Sequence, residues 1–230
     1  MISLNKMKLK VVRAILRYYH RFLSEGRVKI DGLTLFVKKG VFNPKYTFSS
    51  TALLNFLKSK RIRSTLRAID VGTGTGIIAA SLCLTKKLKW VVASDINSQT
   101  VKVSLRNFKE NEVYSYVDVV ACDCLSPFRD SAVDLVISNP PYLPLNPKDK
   151  LDQLFCAGGK LETLTEIIEQ SRHCLKLRGT LIFTISSLTP IDKVSESLVD
   201  NGFVYIRHQI ARTPLDKIYV IDATLVSKRD

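Results

Sequence analysis

Asp70-Val71-Gly72-Thr73-Gly74-Thr75-Gly76 is the stretch on which the fold turns. It follows Leu66–Val71, an apolar run that reads as a buried strand, and leads into residues 76–86, which read as a helix. Glycines at such a junction let the backbone turn sharply and bring a ligand against main-chain amides at the helix N-terminus. The spacing is G-x-G-x-G, and Ile77 stands where a dinucleotide-binding G-x-G-x-x-G has its last glycine. An acid directly before the glycines suits a ligand amine better than a pyrophosphate.

Downstream, the pattern continues as alternating strand and helix. Trp90–Asp95 reads as a strand, 98–110 as a helix, Val117–Cys122 and Val133–Ser138 as strands, and 139–147 as a proline-rich loop. A helix over 161–176, the strand Thr180–Ile185 and a helix near 190–201 follow. Phe203–Ala211 and Lys217–Val226 have no helix between them and read as an antiparallel end. Residues 66 to 230 are thus an α/β unit with a mostly parallel sheet. Asp95 ends the second strand and Asp123 the third, at the same rim as Asp70. A carboxylate at Asp95 can accept both hydroxyls of a ribose, and an adenine amino group can lie near Asp123. Three acids at successive strand ends describe a nucleoside cofactor that carries a cationic amino acid.

Upstream, Leu9, Val12, Leu16, Tyr19 and Leu23 recur at helical steps, so residues 8–24 read as an amphipathic helix. Arg13, Arg17 and Arg21 stripe another face at i,i+4 spacing, where like charges disfavour an isolated helix, so packing or a partner must stabilise it. Val28–Val37 reads as a hairpin about an Asp31-Gly32 turn, and a further helix begins near Thr51 after Pro44. We divide the chain into a basic helix-and-hairpin extension over 1–50 and a main domain over 51–230.

Composition bounds the rest. The 230 residues are 46% hydrophobic and 24% charged, the balance of a folded chain with a continuous core. No apolar run is long enough to span a membrane, and the start at Met1 lacks a secretion signal, so we expect a cytoplasmic protein. Five cysteines make a disulfide framework unexpected. Cys122-x-Cys124 lacks the second pair or histidines of a zinc site and reads as packed thiols, so no metal is expected. The net charge of +14 is concentrated: residues 1–67 hold 16 Lys/Arg against Glu25 and Asp31, and the remainder balances. Such asymmetry marks either a surface for nucleic acid or another acidic partner, or a basic face kept for solubility.

Asn139-Pro140-Pro141-Tyr142 directly after the fourth strand gives the chemistry. An amide or exocyclic amino nitrogen has a conjugated lone pair and is a poor nucleophile. The Asn139 side-chain oxygen and the Pro140 carbonyl can each take one of its N–H groups and favour rehybridisation, while Pro140 and Pro141 stiffen the loop in advance. Tyr142 can stack on the planar group.

With the glycine loop, this motif resembles the class I S-adenosylmethionine-dependent methyltransferases of planar nitrogens, over residues 66 to 230. Leu143-Pro144, Ala157-Gly158-Gly159-Lys160 and Leu181–Leu188 are similar to the HemK-type protein-glutamine methyltransferases, in their short archaeal and eukaryotic form. The resemblance implies a Rossmann-like fold with a seven-stranded, mostly parallel sheet and an antiparallel end strand. It implies a cofactor site of Asp70, Gly72, Thr73, Gly74, Gly76, Asp95, Ile96, Asp123, Cys124 and Asn139. It assigns Asn139, Pro140 and Tyr142 to catalysis, and Asn139, Pro140, Pro141 and Tyr142 to the substrate. The implied substrate is the Gly-Gly-Gln glutamine of a peptide-chain release factor; some short-form members act with a small zinc-finger activator. This chain departs from the family at Lys45-Tyr46-Thr47, where an acidic pair follows the proline, and at Leu161-Glu162, where Asp-Gly follows the glycines. Two other readings stand beside it: an adenine-N6 methyltransferase acting on a flipped base of RNA or DNA, and a non-catalytic RNA- or partner-binding module.

Overall fold

The computed structural model describes residues 4–22, 25–88 and 90–227. Met1–Ser3 and the predicted end of the first helix, Leu23 and Ser24, lie outside them. In order, the elements are α1 (Leu4–Phe22), β1 (Gly26–Ile30), β2 (Leu33–Val37), α2 (Phe48–Ser59), β3 (Arg67–Val71), α3 (Ile77–Lys86), β4 (Trp90–Asp95) and α4 (Ser98–Glu110). They continue with β5 (Val117–Ala121), β6 (Val133–Ser138), α5 (Glu162–Cys174), β7 (Leu175–Ser186), α6 (Ile191–Asp200), β8 (Phe203–Arg212) and β9 (Lys217–Leu225).

Strands β3 to β9 form one sheet in the order β5-β4-β3-β6-β7-β9-β8. The pairs from β5 to β7 are parallel, whereas β9, the end strand of the chain, is antiparallel to both β7 and β8, between which it inserts. Strand order reverses between β3 and β6, so a crevice opens beyond their C-terminal ends. Alternation along the strands splits the core in two. Ala68, Leu135, Ile137 and Ile182 face a layer containing α2, α3 and the hairpin, while Ile69, Val136, Leu181 and Phe183 face α5 and α6. Strand β7 begins at Leu175 rather than Thr180. Its register against β6 jumps between Val133 and Leu135, and Arg178 at φ 66° sits in the irregularity, so charge and a bulge hide the first residues from period-two reading.

The β1–β2 hairpin turns through Asp31 and Gly32, both at positive φ (59° and 78°), as a two-residue turn matched to strand twist requires. It is held to the main domain by two asparagines one turn apart, Asn107 on α4 and Asn111 at its C-cap. Asn111 accepts from Thr34 N (3.0 Å) and donates to Thr34 O (2.8 Å). Asn107 accepts from Phe36 N (2.8 Å) and donates to Phe36 O (2.9 Å). The two amides act as a surrogate strand along β2. Asn107 also donates to Thr75 O in the glycine loop (2.8 Å), so the hairpin and the loop share one buried side chain.

Helix α1 packs Leu16, with Leu9 and Val12, onto an apolar cluster of Leu143, Phe155, Cys156 and Leu188. The arginine stripe is largely paired within the chain. Arg13 and Arg17 both reach the fully buried Asp152, and Arg17 also clasps Asp149 with two hydrogen bonds of 2.9 and 2.8 Å. Asp152 further accepts from Lys148 N (2.8 Å), so its buried charge is fully engaged.

Asn107→Ala strands the part-buried N–H and C=O of Phe36 and the buried carbonyl of Thr75. It is expected to cost about 2–4 kcal/mol in urea unfolding without a change in slope. A loss below about 0.5 kcal/mol would show that water replaces the asparagine.

Candidate active site

The C-terminal ends of β3, β4, β5 and β6 open into a cavity of about 1440 Å³. Its floor is the glycine loop, where Gly72, Gly74 and Gly76 have φ of 68°, 57° and 83°. At Gly76 a side chain is excluded as well, because a Cβ would stand 2.6 Å from the Phe108 ring. Asp70 organises the loop from beneath. Its Oδ2 accepts from Thr73 Oγ1 (2.7 Å) and Ala79 N (3.1 Å), whereas its Oδ1 is buried with no hydrogen-bond partner. Burial pushes this carboxyl up to about 7, the two hydrogen bonds oppose the shift, and neighbouring Asp95 adds to it.

Asp95 ends β4 on the cavity wall. Its Oδ1 accepts from Asn97 N (2.9 Å) and its Oδ2 from Gly74 N (3.1 Å), which fixes the carboxylate plane between α4 and the loop. Burial raises its pKa against those two bonds. Ile96 beside it is 71% exposed, an apolar blade for the face of a planar ring. Cys124, at φ 43°, and Asp123 complete this wall. Asp123, Cys124 and Glu166 bring one ligand atom each within 4.8 Å of the others. Burial, reinforced by Glu166 and Asp123, pushes the Cys124 thiol up to about 12, so it faces the cavity protonated.

Asn139 leaves β6 at the opposite side. Its Oδ1 accepts from Thr184 Oγ1 (2.5 Å) on β7, and its Nδ2 donates to Ser50 Oγ (3.0 Å) on α2. Both hydroxyl residues are buried, so the amide is clamped from two elements. Pro140 and Pro141 line the cavity next to it. Tyr142 turns away from the wall and packs with the cluster under α1, its carbonyl accepting from Thr189 Oγ1 (2.9 Å). Burial raises its phenol pKa, and the Asp216 carboxylate adds to the shift. The loop then pairs with residues 155–158: Leu143 N donates to Phe155 O (3.0 Å), and Ala157 N to Leu143 O (2.8 Å). Gly159 N reaches Asn146 Oδ1 (2.6 Å), and Gly158, at φ 93°, lies against the Glu162 side chain, which closes the turn into α5.

The structure thus brings Gly72, Thr73, Gly74, Asp95, Ile96, Asp123, Cys124, Asn139, Pro140 and Pro141 to one cavity and sets Asp70, Gly76 and Tyr142 behind its walls. Ser50, Thr184 and Asn107 carry no local sequence signal, since each is a polar residue in an ordinary helix or strand. His20 is a further addition. Its Nδ1–H donates to Leu16 O (2.9 Å) and its Nε2 accepts from Asn43 N (3.2 Å), a neutral tautomer that burial favours by lowering the pKa. It ties α1 to the Lys39–Pro44 segment of the cavity wall.

The cavity fits a nucleoside bearing a cationic amino acid. The ribose-side carboxylate, the apolar blade, the open glycine floor and an unpaired buried carboxylate oxygen are present in the order the strands dictate.

Comparison with known proteins agrees. A family model described as methyltransferase small domain matches residues 32–209. A candidate protein N5-glutamine methyltransferase of Methanocaldococcus jannaschii is 29% identical over 201 residues, covering 85% of this chain and 98% of that protein. A release factor glutamine methyltransferase of Clostridium acetobutylicum is 27% identical, covering 86% of this chain and 73% of its own. The chain spans only between 25% and 33% of the length of three other curated relatives. Among solved structures, TYW2 of M. jannaschii in complex with AdoMet superposes with a TM-score of 0.60 at 17% identity, covering 87% of this chain and 85% of that one.

A cationic ligand that reaches Asp70 through the glycine loop must displace the proton that this carboxyl holds below about pH 7. Affinity for S-adenosylmethionine, measured calorimetrically, is expected to rise by up to about tenfold per pH unit towards pH 7 and to flatten above it. Asp70→Asn should remove that dependence; an equally flat wild-type profile would detach Asp70 from the ligand. Asp95→Ala should weaken binding at every pH.

Proposed function

We propose that this chain, which belongs to the methyltransferase small domain family, methylates the side-chain amide of the Gly-Gly-Gln glutamine in a peptide-chain release factor. The observation that carries the reading is the clamped Asn139 amide on the cavity that Asp95 and the glycine loop share. S-adenosylmethionine supplies a methyl group already activated on a sulfonium. The glycine loop, Asp95, Ile96, Asp123 and Cys124 would hold that cofactor at the strand ends.

The chain's own task is to make an unreactive nitrogen available. Thr184 occupies one lone pair of Asn139 Oδ1 and leaves the other for an N–H of the acceptor amide. Ser50 accepts from the Nδ2 end, so the amide is anchored from both sides. The Pro140 carbonyl takes the second N–H. Both bonds strengthen as the nitrogen loses conjugation and gains positive charge, so they stabilise the transition state more than the ground state. The nitrogen then gives up one proton to solvent, and no strong base is needed. The prolines set these acceptors before the acceptor binds, which keeps the cost of ordering out of the reaction.

In this reading residues 1–50 are an extension and 51–230 the methyltransferase domain. The protein works in the cytoplasm, and a small zinc-finger activator and contact of the basic residues with RNA belong to the same proposal. None of the described helices is long and apolar enough to cross a membrane. The charge of residues 1–67 favours one second reading, methylation of an exocyclic adenine nitrogen in RNA or DNA by the same two acceptors.

Labelled S-adenosylmethionine offered with the release factor, with its glutamine-replaced form and with total RNA separates the two. Label on the intact factor alone is expected; label on RNA alone moves the protein to the adenine branch. Asn139→Ala should slow transfer by about 10²-fold with cofactor affinity kept. Thr184→Val should slow it by about tenfold or more at unchanged KM, and Thr184→Ser should restore it. Full turnover in Thr184→Val would remove the clamp from the mechanism.

A further inference from the structure

Helix α1 has two apolar faces, and among the described residues only one is packed inside the chain. The inner face is the Leu9, Val12 and Leu16 seam already described. The outer face carries Leu4, Met7, Val11, Ile15, Tyr18 and Phe22 at steps of three and four, each between 40% and 65% exposed. Six large apolar side chains in one continuous stripe exceed the scattered exposure usual for a surface helix. The stripe ends in an aromatic pair, Tyr18 and Phe22, with centroids 5.4 Å apart. Such clusters supply the anchoring contacts of protein interfaces.

Three observations say what covers it. First, the helix contains no acidic residue, and exposed Lys10 and Arg21 flank the stripe, so the complement is acidic as well as apolar. A second copy would set the same cations against each other. Second, the helix is rigidly seated through Arg13 and Arg17 on Asp152 and Asp149 and through His20 on Asn43, as a preorganised platform must be. Third, Arg17, His20 and Arg21 of the same helix line the cavity, so whatever lies on the outer face borders its mouth. A membrane seated there would shield the mouth from a soluble acceptor. The cavity itself reads only a planar amide on a short loop, a feature too common to select one protein, so selection requires contact outside it.

We propose that the outer face of α1 is the docking surface for the acceptor protein, which meets it with an amphipathic segment whose apolar side is flanked by acidic residues. The proposal rests on the reading of a protein acceptor. Docking and chemistry are separable, because the stripe touches neither the glycine loop nor Asn139.

The test compares the intact release factor with a short peptide centred on its Gly-Gly-Gln, using wild type, Val11→Glu/Tyr18→Glu and Lys10→Glu. Binding of the factor is followed independently by interferometry. The double variant is expected to raise KM for the factor at least tenfold and to abolish its binding. Its kcat, peptide kinetics, S-adenosylmethionine affinity and Tm should stay at wild-type values. Lys10→Glu should raise KM severalfold, with the difference shrinking in high salt. An unchanged KM, or equal losses on factor and peptide, would overturn the proposal. So would unchanged factor kinetics accompanied by loss of binding to phosphatidylglycerol vesicles, which makes the face a membrane contact, or by loss of a dimer in light scattering. Wild type that binds the factor through this face yet methylates neither factor nor peptide supports docking and overturns the glutamine reading alone.

Discussion

Where a fully buried strand gives way to a helix, the chain must turn within the core and still find partners for each peptide group it exposes. At the β3–α3 junction the room for that turn is set by Phe108, whose ring approaches Gly76 so closely that no side chain fits there. The loop's polar groups are then satisfied from three directions. Thr73 N donates to Ser94 O on β4 (2.9 Å), Asp70 takes Ala79 N from below, and Asn107 reaches Thr75 O from α4. Ser138 Oγ caps Val71 O from β6 (2.8 Å), so both neighbouring strands take part. The glycine loop owes its open upper surface to this arrangement, since its own partners all lie beneath or beside it.

The same economy governs the N-terminal charge. Counting residues places a strong basic excess ahead of the main domain, but counting cannot pair charges. Asp152 lies 139 residues from Arg13, and the 3-10 turn that it opens, Asp152–Leu154, is too short to show a period. Two arginines of the stripe are thereby spent inside the molecule, and the i,i+4 repulsion they would suffer in an isolated helix is relieved. On α1 itself what remains outside is the apolar stripe with Lys10 and Arg21, while Lys29, Lys38, Lys39, Lys45, Arg61 and Arg63 stay exposed elsewhere on this part of the chain.

Strands β4 and β6 and helix α4 are legible to the residue because apolar runs, capping Asn97 and turn residues agree there. Strand β7 is not, since Lys176, Arg178 and Gly179 interrupt its pattern. At the site, residues at strand ends can be located from the sequence because topology alone carries them to one rim. Tyr142 shows the limit: the motif brings it to the right loop, yet side-chain direction depends on the cluster beneath α1, which forms from residues distant in the chain. Ser50 and Thr184 are equally hidden, lying 89 and 45 residues from the Asn139 they hold.

Those distances have a mechanical consequence. Asn139 is gripped by α2 and β7, whereas the loop beyond it is gripped by residues 155–158 and, through Asp149 and Asp152, by α1. The acceptor-binding end of the motif is therefore fixed to the sheet, and the distal end to the N-terminal helix. The Pro140-Pro141 step, with fixed φ and no backbone N–H, lies between these two sets of attachments. Asn139 is thus held by different elements from those that seat the helix. Recognition outside the cavity and orientation inside it can vary independently on one continuous stretch of chain.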